Sequence, residues 1–210
     1  MLTRRLAFGT VLAASALAFA AAAQAQSWKT KYPELVLAVD PAENASGVTE
    51  RYAPFVEYLS KELGVKVTLR VANDYAAVIE GQRNGSRQLA GYGPASYARA
   101  IVTGVKVEPF ATTVNNDGTI GYYSVFYVRA DSPYKTIDDL KGKNLGLVDP
   151  NSTSGNNVPR FALNKMKIVP DTYFAHVTYA GSHENAVLAL QQKTVDVAAM
   201  PRSSKPLPLS

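Results

Sequence analysis

Two α/β lobes are the fold class this sequence predicts. Short apolar or β-branched runs alternate with helical stretches of about ten residues, the pattern of βαβ units and a mostly parallel sheet. The alternation occurs twice, once before about residue 120 and once after about residue 130. Between the two lies "GYYSVFYVR" (121–129), the longest aromatic and β-branched run, which reads as a strand crossing from one lobe to the other.

The elements follow in chain order. Residues 34–40, "ELVLAVD", form a short apolar run bounded by Pro33 and Pro41 and read as a buried strand. Residues 48–63 place apolar side chains at 52, 53, 55, 56 and 59, a helical spacing that Gly64 can stop. "VKVTLRV" (65–71) alternates and is β-branched, so it is a strand. A helix over 75–83 is closed by Asn84-Gly85, then come a short strand over 89–92, a helix over 94–103 and an extended stretch over 105–113. After the crossover strand the pattern predicts a helical turn over 137–140, a strand over 144–148 and a helix over 154–165. A strand over 176–179, a helix over 183–192 and a strand over 195–200 complete it. The final ten residues, "PRSSKPLPLS", hold three prolines and no periodicity, and are expected not to continue a strand or helix. The implied organisation is a leader over 1–25, a first lobe over 26–120, a second over 121–200 and a tail over 201–210.

The leader carries Arg4 and Arg5, an apolar run over 11–23 and the small-residue triplet Ala23-Gln24-Ala25, the three parts of a cleavable secretory signal. The arginine pair leaves the general secretory and twin-arginine routes both open. No later stretch reaches the ~18–20 apolar residues of a membrane span. An exported, periplasmic protein is expected. There is no Cys, so neither a disulfide-stapled fold nor thiol chemistry is available. A formal net charge of +5, two of it from the leader, points to neither nucleic acid nor an anionic membrane.

The most informative stretch for chemistry is Ser152-Thr153-Ser154-Gly155, where a strand turns into a helix. In open α/β sheets that edge is where ligands bind. The first helical turn offers unpaired N–H groups and the positive end of the dipole, and three hydroxyls add donors that rotate to suit a tetrahedral oxyanion. The same residues also read as a plain N-cap with two neighbours, and spacing alone does not separate the two. The segment lacks the Lys of a phosphate-binding loop of the G-x-x-x-x-G-K-[ST] type. His183-Glu184 opens a later helix after a Gly-Ser turn, where His183 can reach a ligand oxygen and Glu184 suits the first turn. The only other histidine, His176, is not at metal-ligand spacing, and no nucleophile elbow is present, so neither a zinc site nor a Ser–His–acid triad is expected. Tyr75, Tyr92, Tyr122 and Tyr123 all fall at strand–loop edges, where a ring and a hydroxyl could wall a cleft.

Five stretches in order carry a resemblance: "NDYAAVIEGQRNG" (73–85), "YGPASYA" (92–98), "GYYSVFYVRADSP" (121–133), "DPNSTSGNNVP" (149–159) and "GSHENAVLAL" (181–190). Together they resemble the phosphonate-binding family, the periplasmic substrate-binding proteins of phosphate, phosphite and phosphonate ABC transporters. The resemblance implies a type II-like, two-lobed fold, each lobe a mostly parallel sheet flanked by helices, that closes on its ligand. It implies that Ser152, Thr153, Ser154 and His183 hold the oxyanion and that Tyr75 and Tyr122 wall the site; Tyr92, from its place at a strand–loop edge, is taken as a further ligand-binding residue. It also implies a monomer with no cofactor and no metal, which works with a membrane permease and catalyses nothing. Two departures stand out. "SRQLAGYGP" (86–94) has Arg87 and Gln88 where the family carries an acidic residue, and the match stops after Met200. The expectation is a truncated or frameshifted chain that lacks a C-terminal part, including the acids that would recognise a ligand amine, and is therefore weakly stable. A periplasmic phosphoester hydrolase built on the same hydroxyls, and a ligand-binding sensor domain, stay as alternatives.

Overall fold

The computed structural model describes residues 28–203; residues 1–27, where the leader was expected, and residues 204–210 lie outside it. The first sheet has three parallel strands, β1 (Glu34–Val39), β2 (Lys66–Leu69) and β3 (Leu89–Gly91), in the order β2-β1-β3. Their crossovers are the helices α1 (Ala45–Leu63) and α2 (Tyr75–Arg83), and α3 (Pro94–Val102) follows β3. Leu35, Leu37, Val39, Val48 and Val67 form the buried heart of this lobe. Asn44 caps α1 by accepting from the Gly47 N–H, and Gly64 ends it in the left-handed conformation that favours glycine.

The second sheet runs β4-β7-β5-β6, from β4 (Tyr123–Val128), β5 (Asn144–Leu147), β6 (His176–Tyr179) and β7 (Val197–Arg202). Strands β5, β6 and β7 are parallel, and β4 pairs antiparallel to β7 at the sheet edge. Two helices of this lobe matter for the site: α4 (Val158–Lys165), and α6 (His183–Gln191), which follows the short α5 (Pro170–Tyr173) and β6. Leu145, Leu147, Leu163, Phe174, Val197 and Ala199 fill one face of the sheet, while Val148, Ala186, Leu190, Ala198 and Met200 fill the other. A run buried on both faces explains why "VAAM" (197–200) reads as continuous rather than alternating.

Residues 105–113, expected to be extended, join neither sheet, and Phe110 there is 74% exposed. Two other sequence-based expectations are corrected. The strand expected over 195–200 starts at Val197 and runs on to Arg202, so the first two residues expected to be tail are paired, Pro201 with Ser124 and Arg202 with Tyr123. Proline is tolerated there because only β4 lies alongside; β5 pairs with β7 at Val197 and Ala198 alone. The helix expected over 154–165 is two elements. A π-helical turn, Thr153–Asn157, precedes α4. Pro159 has no N–H to give the Gly155 carbonyl, and that carbonyl instead accepts from the Val148 N–H at 2.9 Å. The chain therefore opens to a wider turn, with Asn157 N donating to the Ser152 carbonyl at 3.0 Å.

Candidate functional site

The C-terminal ends of the parallel strands of both lobes turn toward each other. From the first lobe, β1 ends in Asp40 and β3 leads through Tyr92 and Gly93 into α3. From the second, β5 ends in Asp149 and leads into the Ser152–Ser154 segment, and β6 leads into α6 at His183.

The hydroxyl segment is held by hydrogen bonds at every residue. The Ser152 side chain is 1% exposed, accepts from the Gly155 N–H at 3.1 Å and shares a hydrogen bond with the Tyr75 hydroxyl. The Thr153 hydroxyl accepts from the Ala95 N–H at 2.8 Å, so the head of α3 in one lobe touches the hydroxyl segment of the other. The Ser154 side chain is buried, and its carbonyl accepts from the Ser124 hydroxyl of β4 at 2.7 Å. Gly155 is required because a Cβ there would collide with the Val148 side chain. Asn156 and Asn157 brace the turn by donating from their amides to the Pro150 carbonyl, each at 2.9 Å.

The structure sorts the four other residues predicted for the site. Tyr75, 4% exposed, opens α2 against Ser152, and burial keeps its phenol strongly protonated. Tyr122 is 42% exposed and points its hydroxyl at Gly93: a Cβ built on Gly93 would lie 3.0 Å from Thr153 Oγ1, 3.7 Å from Tyr122 Oη and 3.7 Å from Asp40 Oδ2. Glycine thus lets three polar groups from three chain segments converge. Tyr92 packs its ring into the first lobe among Ala38, Val78 and Ala100, and its hydroxyl is buried without a partner. Burial, then the Asp40 charge, push that phenol up to about 12. His183 lies apart from the segment. It lines a cavity of about 870 Å³ with Ala42, Arg51, Tyr127, Glu184 and Met200, whose walls include none of Ser152–Ser154. Its Nδ1 is buried without a partner, and burial holds the imidazole neutral, its pKa lowered to about 4. Beside it Glu184 ties the lobes together, accepting from the Asn44 N–H at 2.6 Å and the Asn44 amide at 2.9 Å.

Sequence reasoning missed Asp40. Its Oδ2 accepts from the Gly93 N–H at 2.9 Å and from the Ser96 hydroxyl at 2.5 Å, while Oδ1 is buried with no partner. Burial, and then the facing Asp149 carboxylate, push Asp40 up to about 7 against those two hydrogen bonds. Asp149 is itself shifted upward, by burial first, with the Asn151 N–H opposing. A signal was present: Val-Asp-Pro stands at the end of β1 (39–41) and again after β5 (148–150), the same triplet at corresponding edges of the two lobes.

The described residues hold no group of three or more His, Cys, Asp or Glu placed to bind a metal ion, and no described helix is long and apolar enough to cross a membrane. Two lobes built on parallel strands, the second edged by the antiparallel β4, meet where their strand C-termini bring Thr153 against the head of α3, and define a periplasmic-binding-protein fold. A comparison with known proteins narrows this. The chain belongs to the family of ABC-transporter phosphonate periplasmic substrate-binding proteins, whose pattern it matches over residues 37–204. It is 38% identical to the phosphonates-binding periplasmic protein of Escherichia coli, over 74% of this chain and 47% of that protein. It is 35% identical to the phosphate-import protein PhnD of Mycolicibacterium smegmatis, over 79% of this chain and 54% of that one. The crystal structure of a binding-protein component of an ABC phosphonate transporter from Pseudomonas aeruginosa superposes with a TM-score of 0.76 at 31% identity, covering 81% of this chain and 57% of that one. The chain thus spans about half the length of the curated relatives it matches.

Proposed function

We propose that this chain captures a small phosphorus oxyanion, a phosphonate, phosphite or phosphate, in the periplasm and delivers it to an ABC-transporter permease, as a monomer and without transforming it. One observation carries the reading: three consecutive hydroxyl residues at the head of a widened helical turn face Tyr75, Tyr122 and the first turn of α3 across the junction of the lobes. Converging neutral donors stabilise an anion in a dry site without a formal counter-charge, since hydrogen bonds to an ionised group are about twice as strong as neutral ones. On this reading Ser152, Thr153 and Ser154 supply the donors. Tyr75 and Tyr122 supply a wall and further hydroxyls, and Tyr92 lies behind the wall. His183 reaches the ligand from the adjoining cavity as the lobes adjust.

The test is a thermal-shift screen of the purified mature chain over phosphate, phosphite, methylphosphonate and aminoethylphosphonate, followed by calorimetry on any that raise the melting temperature. A saturable shift by at least one is expected, and no shift by any would overturn the reading. Sustained phosphoester turnover, with or without divalent metal, would replace it with a hydrolase.

A further inference from the structure

Asp40 combines features that oxyanion capture as so far described does not use. It is a carboxyl group at the junction of the lobes, beside the segment where an anion is to be held, and one of its two oxygens is buried with no hydrogen-bond partner. Buried polar atoms nearly always find partners, so an unpartnered one needs an explanation. Tyr92 Oη is a second such atom, close enough to feel the Asp40 charge. Asp40 Oδ2 is anchored by Gly93 and Ser96, which fixes the plane of the carboxyl. The same Gly93 brings Thr153 Oγ1 and Tyr122 Oη to within a side chain's width of it. The groups that act on Asp40, or feel its charge, are Tyr52 from α1, Tyr75 from α2, Tyr92 from the end of β3 and Asp149 from beyond β5. Phenols and a carboxyl can pass protons and accept them, but none of them offsets a second negative charge.

We propose that Asp40 is a specificity-determining residue of this site: its free Oδ1 shares one proton with an oxygen of the bound oxyanion. The site thereby selects oxyanions whose last proton leaves near neutral pH over those that hold none. This rests on the reading that the Ser152–Ser154 segment holds the oxyanion. An ionised carboxylate against a dianion would place two like charges in a poorly solvated crevice, which is strongly disfavoured. One proton between the two oxygens removes the conflict and makes a short charge-assisted hydrogen bond. The balance is simple. Where carboxylate and ligand are both fully ionised, binding draws one proton from solvent; where either already carries it, the proton is retained. Phosphonate, phosphite and phosphate are basic enough to share it. A sulfonate of the same shape is not, so it gains only a weak acceptor contact and keeps Asp40 protonated at a cost that grows with pH. Burial, which already favours the protonated carboxyl here, suits Asp40 to this part.

The test uses methylphosphonate and methanesulfonate, which share a shape and differ in basicity, titrated calorimetrically into the parent chain and Asp40→Asn. Working at about pH 8.5, in two buffers of different ionisation heat, reads the protons taken up on binding. For the parent, uptake near one proton per methylphosphonate and a preference for it of ~100-fold or more are expected. For Asp40→Asn, whose amide can hold the Gly93 and Ser96 contacts, uptake should fall toward zero and the preference should shrink at least ~10-fold. Proton uptake near zero in the parent overturns the proposal by itself, whether or not the variant folds, and leaves oxyanion capture standing. Unchanged uptake and preference in a folded variant also overturn it. If the parent binds neither compound, nor phosphate or phosphite, the underlying reading falls and this proposal with it.

Discussion

Replacing Asp40 by Asn should change how stability depends on pH even with no ligand present. In the folded chain the Asp40 carboxyl keeps its proton up to about 7, whereas the unfolded chain loses it near 3.8. Between those values the folded state binds more protons at this site, so the contribution of Asp40 to stability is full below 3.8 and declines as pH rises toward 7. The displacement corresponds to about 4 kcal/mol. His183 works in the opposite direction. Its folded pKa is lowered from 6.5 to about 4, so its contribution is full above 6.5 and is lost as pH falls toward 4, by about 3 kcal/mol. Between about pH 4 and 6.5 the slopes of these two sites oppose, so together they add little net pH dependence over that window. In Asp40→Asn the histidine slope is no longer opposed by Asp40, so the variant should weaken on acidification relative to the parent. Urea unfolding followed by far-ultraviolet circular dichroism at several pH values gives the difference between variant and parent, in which groups common to both largely cancel. That difference should move by about 3 kcal/mol in the variant's favour from pH 4 to pH 7, since part of the displacement lies outside that window. A difference that stays constant within about 1 kcal/mol would refute the reasoning, because it would mean that the Asp40 carboxyl titrates alike in both states.

In the mirror experiment, the stability of His183→Gln relative to the parent should rise by about 3 kcal/mol on going from pH 6.5 to pH 4; a difference that does not change over that window would count against a buried neutral imidazole. Ser152→Ala combined with Thr153→Ala should weaken methylphosphonate binding by about 1–3 kcal/mol per hydrogen bond lost, read by calorimetry, and unchanged affinity would remove these residues from the site. Gly155→Ala forces a methyl group against Val148 and should destabilise the chain by about 1–3 kcal/mol in urea unfolding. Glu184→Ala removes the acceptor of two Asn44 hydrogen bonds between the lobes and should cost about 1 kcal/mol in the same assay.

How much of this could be read in the sequence depended on how local the cause was. Tyr75–Arg83 and His176–Tyr179 stand where the periodicity places them, because Asp74 caps the helix from the adjacent residue and the strand is a short β-branched run. The position of Ser152–Ser154 at a strand–helix edge was equally visible. The shape of the turn was not: Pro159 is plain in the sequence, but the Val148 N–H that claims the Gly155 carbonyl is known only once the strand folds back beside it. Residues 105–113 looked extended because several are β-branched, but that they join neither sheet shows only in the fold. Asp40 escaped notice because its environment is assembled from Gly93, Ser96 and Asp149, none of them near it in sequence. Tyr92 looked like a cleft wall by position, while the apolar groups that draw its ring inward belong to α2 and α3.

The π-helical turn at Thr153–Asn157 also sets a rule about chain length. The Ser152 and Thr153 carbonyls accept from the N–H groups five residues on, of Asn157 and Val158, so the segment contains one residue more than an α-helical path between the same ends would need. Removing a single residue from 153–157 would let α4 wind back regularly, but it would also turn every side chain before it by about 100°. Ser152 would swing off Tyr75 and Thr153 off Ala95, even though no residue named in the site had been replaced. The exposed stretch over 108–114 carries no such constraint, since it has neither a ladder nor a buried face to keep in phase. Natural variation by insertion and deletion should therefore accumulate there and be excluded from the nine residues between Asp149 and Asn157, where spacing is as much a part of the binding surface as the hydroxyls themselves.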